Sequence, residues 1–88
     1  MHTKTWNVDV FLSEEDATTS ARAVLHANGA RELVAHGSAR RNPHDPEIAE
    51  IGDEIAAARA LSSLAHLLLD SAADDLSAVT TEHVQLLS

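Results

Sequence analysis

The chain has no cysteine and no tyrosine, one tryptophan, one phenylalanine, two prolines and three glycines in 88 residues. Each shortage excludes something. Without thiols there are no disulfides, no thiolate metal sites and no cysteine nucleophile. Trp6 and Phe11 cannot fill a core between them, so the interior is expected to be aliphatic and alanine-rich, gaining less burial per residue than an aromatic one. No apolar run approaches the length of a membrane span, and Met1 to Asp9 is too polar for a signal peptide. No membrane contact is expected, and the default location is the cytoplasm.

Positive charge is also scarce. Six Lys and Arg stand against fourteen Asp and Glu, a formal net charge of -8. A field of that sign repels phosphate backbones and anionic lipid surfaces. Only Arg40 and Arg41 are adjacent, which argues against nucleic acid as a partner.

What is present is the patterning of one α+β domain over 1–88. Hydrophobic residues make up 44% of the chain, and a domain this small buries roughly 60–65% of its unfolded surface. Period-two alternation over about 4–13 puts Trp6, Val8, Val10 and Leu12 on one face and Phe11 on the other. The charged run Ser13 to Asp16 reads as a turn. Two further alternations follow, about 19–27 and 31–41, with Ala21, Ala23 and Leu25, then Leu33, Ala35, Gly37 and Ala39, facing inward. Asn28-Gly29 between them signals a hairpin. A three-residue loop, Asn28 to Ala30, pairs Leu25 with Leu33 and Ala23 with Ala35. A two-residue loop would mix the two faces. The small inward residues, Gly37 above all, predict a helix backbone lying close over strands two and three.

Asn42-Pro43-His44-Asp45-Pro46 ends the third strand, with Asp45 as N-cap and Pro46 as the first helical residue. The helix is expected over about 47–74, starting somewhere between Pro46 and Ile51. Ile51, Ile55, Ala58, Ser62, Ala65 and Leu69 form its core stripe, with Leu61, Leu64 and Leu68 as a second row beside it. The tail, 78–88, reads as a short fourth strand, an exchanged arm or a docked extension. The expected architecture is a three-stranded antiparallel meander under one long C-terminal helix.

Motifs for chemistry are missing. There is no glycine-rich phosphate loop, no nucleophile elbow, and no His-x-His or helical His-x-x-x-His spacing among the six histidines. Glu47 and Glu50, with Asp45, are explained by the helix dipole. No cofactor, no metal and no enzymatic activity are expected.

Ala39-Arg40-Arg41-Asn42-Pro43-His44-Asp45, followed by Pro46-Glu47-Ile48-Ala49-Glu50-Ile51-Gly52-Asp53-Glu54-Ile55, carries a resemblance. The opening Lys4-Thr5-Trp6-Asn7-Val8-Asp9-Val10 and the run Leu61 to Leu68 extend it over nearly the whole chain. It resembles small actinobacterial proteins classed as a domain of unknown function with a fold similar to the double-stranded-RNA-binding domain. Ala49 stands where such relatives are expected to carry proline. The resemblance implies a β-β-β-α layout and no assigned activity. Duplex RNA is read through phosphates and 2′-hydroxyls by basic residues. Asp45, Glu47, Glu50, Asp53 and Glu54 at the helix start would oppose it.

Two apolar surfaces remain as candidate interaction sites. Phe11, Val24 and Val34 project from the open sheet face, and Leu61, Leu64 and Leu68 line the helix. The expected role is a non-catalytic protein-interaction or regulatory module, as a homo-oligomer or with another protein. The alternative is a ligand- or double-stranded-RNA-binding module that uses the open sheet face.

Overall fold

A computed structural model describes the backbone of residues 1–27, 32–42, 44 and 48–87, with side chains of the helix as far as residue 81. Strands β1 (Asn7–Glu15), β2 (Thr18–His26) and β3 (Leu33–Arg40) form an antiparallel sheet in the order β1-β2-β3, followed by helix α1 (Ala49–Leu87). This is the α+β meander-plus-helix that the alternation predicts.

The turn between β1 and β2 is tighter than the charged run suggested. Ser13, Glu14 and Glu15 stay in the ladder opposite Ser20, Thr19 and Thr18. Only Asp16 and Ala17 turn the chain. Asp16 takes a φ of 56°, a left-handed conformation that aspartate tolerates better than most residues. In the second hairpin Leu25 opposes Leu33, Ala23 opposes Ala35 and Arg22 opposes His36, the register that keeps apolar residues on one face. The loop residues Asn28 to Ala30 lie outside the described residues, as do Asp45 and Pro46 of the expected cap.

The helix meets the sheet through its smallest residues. Ala21, Ala23, Leu25, Ala35 and Ala39 of the sheet enclose Ala56, Ala60 and Leu64 of α1, with Leu33 and Leu68 closing one end. The row Gly52-Ala56-Ala60-Leu64-Leu68 advances by four and forms a ridge on one side of the helix. The expected stripe through Ile51, Ile55, Ala58, Ser62, Ala65 and Leu69 is therefore corrected: at about 3.6 residues per turn it lies on the opposite side of the helix from this ridge. Those six side chains are exposed. The floor formed by β2 and β3 is nearly all alanine, so a backbone can approach it closely. Larger isoleucines would hold the helix away and leave voids, which dense packing penalises.

Leu64 and Leu68 likewise move from an outlying row to the core and its edge, while Leu61 stays exposed. The tail is neither a strand nor an arm folded back, because α1 runs without a break to Leu87. At 39 residues the helix is about 58 Å long, whereas strands of this length span about 30 Å. Beyond Leu68 it leaves the sheet behind. Among the described residues, no helix is long and apolar enough to cross a membrane.

Candidate functional site

The outer sheet face is closed by its own side chains. Phe11 and Val34 are exposed there, but Val24 is only 6% exposed, so the expected row of three apolar projections is corrected to two. Val24 lies on the central strand, directly between Asp9 and Val34. Two residues along β1 from Asp9, Phe11 carries the Arg22 guanidinium over its ring, 4.6 Å from the centroid. His26 Nε2 lies 3.1 Å from Asp9 Oδ2, and its Nδ1 lies 3.3 Å from Glu32 Oε1. A neutral ring donates to one of these carboxylates, and a doubly protonated ring to both. The contacts link β1, β2 and the residue preceding β3. Among the described residues, no three His, Cys, Asp or Glu side chains converge in a way that could hold a metal ion.

A second feature lies at the start of α1. Ile51 and Ile55, displaced from the expected core stripe, line a cleft with Ile48, Thr19, Ala39 and Arg40. Its volume of about 240 Å³ falls short of the roughly 300 Å³ at which ligand pockets begin. Its lining sets Glu14 against Arg40 and Arg41, a net charge of one positive. Thr19, the one buried polar side chain among the described residues, sits against Gly52 beneath it.

The third feature is an uncovered face. Val8, Val10 and Leu12 oppose Leu25, Ala23 and Ala21 and so share their face of the sheet. Yet all three are exposed, and so is Trp6, at 53%. The helix covers β2 and β3 and barely touches β1. The reason is width: a helix about 10 Å across covers two strands spaced about 4.8 Å apart, not three. Arg59 Nη1 donates to the Ser38 carbonyl at 2.7 Å, which fixes one flank of α1 on the β3 side. The opposite flank overhangs β1 and carries Leu61 and Leu68. Past the sheet it continues through Leu76 and Val79, both exposed.

The alternation places Val8, Val10 and Leu12 on the correct face but does not show that, among the described residues, they are left exposed. The available signal was asymmetry. Small residues line β2 and β3, where the helix lies, while bulky ones line β1, where it does not.

The model of the Rv2632c-like family matches residues 4–85. The chain belongs to this family. It is 44% identical over 81 residues to the uncharacterised protein Rv2632c of Mycobacterium tuberculosis, covering 92% of this chain and 86% of that one. It is 43% identical over 82 residues to the uncharacterised protein Mb1767 of Mycobacterium bovis, covering 93% and 86%. The crystal structure of Rv2632c superposes with a TM-score of 0.82 at 42% identity, over 91% of this chain and 94% of that one. Within the Rv2632c-like family the β-β-β-α layout is thus shared with an experimental structure.

Proposed function

We propose that this Rv2632c-like protein is a non-catalytic interaction module that self-associates. The observation that carries this reading is surplus surface. The chain exposes 7028 Å², against about 5,000 Å² for a compact monomer of its mass. Its radius of gyration is 18.2 Å, against about 12 Å for a compact domain of this length. Val8, Val10 and Leu12 of β1 and Leu69, Leu76 and Val79 of the far half of α1 are among the exposed apolar side chains. Contiguous patches of that kind mark association surfaces.

The ligand- or RNA-binding alternative has less support. Arg22 is engaged over Phe11 and His26 is held between two acids, so the outer face offers mixed charge rather than a basic track. Strongly salt-dependent binding to duplex RNA would favour it instead.

Size-exclusion chromatography with light scattering tests the proposal. The expected result is a mass at least twice 9.4 kDa at micromolar concentration. A mass of one chain across the whole accessible concentration range would overturn it.

A further inference from the structure

The bare face of β1 and the far half of α1 have complementary deficits. Among the described residues, Val8, Val10 and Leu12 of β1 are exposed beside the helix, and α1 past Leu68 adds no side chain to the core. A single chain does not bring these together, because α1 is one unbroken helix packed over β2 and β3. Two chains related by a two-fold axis bring them together twice, each supplying what the other lacks.

We infer that the occupant of this face is the long helix of a second copy, running antiparallel beside α1 and across Val8, Val10 and Leu12 of β1. This rests on the proposed self-association and adds its partner surface and direction. The seam on α1 is Leu61, Ala65, Leu68, Ala72, Leu76 and Val79, in steps of four, three, four, four and three along one side of the helix. Leucine alternates with alanine along most of it, so a neighbour's leucines can seat over the alanines.

Direction follows from the bare strand. A parallel neighbour would place both sheets at one end and leave both far halves projecting. An antiparallel neighbour carries each far half back over the other chain's β1. It also sets the two helix dipoles in opposition, the favourable arrangement. Spacing agrees, because packed helices sit about 8–10 Å apart and β1 lies about that far to the side of the helix that covers β2 and β3. The surplus of roughly 2,000 Å² per chain over a compact monomer exceeds the roughly 800 Å² that each partner buries in a stable interface.

The absence of cysteine makes the test clean. Leu61→Cys chains are mixed with Val79→Cys or Leu76→Cys chains and oxidised mildly, while light scattering follows the mass. The expected result is a disulfide-linked pair from the mixtures and little from Leu61→Cys alone, whose two copies would lie at opposite ends of the seam. Val10→Asp in the otherwise unaltered chain is expected to reduce the mass to that of one chain with helical circular dichroism retained. Efficient linking of Leu61→Cys to itself would overturn the antiparallel direction. A dimer mass without linking in any mixture would place the interface elsewhere. A monomer mass for the unaltered chain would remove both the inference and the self-association on which it rests.

Discussion

A Cβ added to Gly37 would run into the amide nitrogen of Ala60 and lie 2.7 Å from both the Ala56 carbonyl oxygen and the Arg59 carbonyl carbon. All three are backbone atoms of α1, so relief requires the helix itself to lift from β3. Overpacking typically costs about 1–3 kcal/mol, and a backbone obstacle belongs at the top of that range. Gly37→Ala is therefore expected to lower the melting temperature by about 10 °C or more, read by thermal circular dichroism. Gly52→Ala is the contrast, since its Cβ would meet only the Thr19 side chain, with the hydroxyl at 2.9 Å. There the gain of about 1 kcal/mol in helix propensity offsets the crowding, and the expected change is small. The contacts of His26 with Asp9 and Glu32 are weaker than their geometry suggests. All three side chains are substantially exposed, and exposed ion pairs contribute about 0–1 kcal/mol. A double-mutant cycle between His26→Ala and Asp9→Ala should return a coupling in that range. At this scale the sequence was legible where one residue type has one use, as with glycine in mid-strand. It was not legible at Val24, whose burial depends on neighbours supplied by two other strands.

Register and helix rotation were legible to different degrees. In the sheet a slip by one residue exchanges the two faces, so the apolar set of β2 and β3 admits one pairing, and the structure has it. On the helix, at about 3.6 residues per turn, the expected stripe and the observed ridge point to opposite sides. Reading by hydrophobicity then favours isoleucine over alanine. The sheet decides otherwise, because its alanine floor rewards close approach rather than bulk. The rotation can be tested with two leucines five residues apart. Leu64 is 4% exposed and enclosed by the core, whereas Leu69 is 68% exposed. Leu64→Ala is expected to cost about 2–4 kcal/mol in urea unfolding, and Leu69→Ala under about 0.5 kcal/mol. Equal costs would mean that the helix is turned so that Leu69 shares the core. The end of the helix was missed for a related reason. Asp70, Asp74 and Asp75 lower the hydrophobicity of the stretch, yet exposed aspartates do not end a helix when neither glycine nor proline follows.

The whole molecule joins a well-paired sheet and a thin alanine core to a helix about twice as long as its strands. The core holds no aromatic side chain and few large ones, and small aliphatic side chains contribute less per residue than large ones. Among the described residues, no side chain past Leu68 joins the core, and isolated helices of the length that remains are marginal in water. Both weaknesses ease if the apolar flank of α1 and the bare face of β1 are buried between copies. Stability then becomes inseparable from concentration, because unfolding a dimer releases two chains. The size of the effect follows from mass action. A hundredfold rise in protein concentration favours the dimer by about 2.7 kcal/mol. Near the midpoint, unfolding entropy is about 2.1 cal/mol/K per residue, and a dimer unfolds both copies of the 88-residue chain together. The melting temperature should therefore rise by about 7 °C across a hundredfold range, at constant pH and salt. A chain that folds alone would melt at the same temperature throughout. Val10→Asp should convert the first behaviour into the second, with a lower midpoint as well, because it places a charge on the strand that the neighbouring helix is to cover.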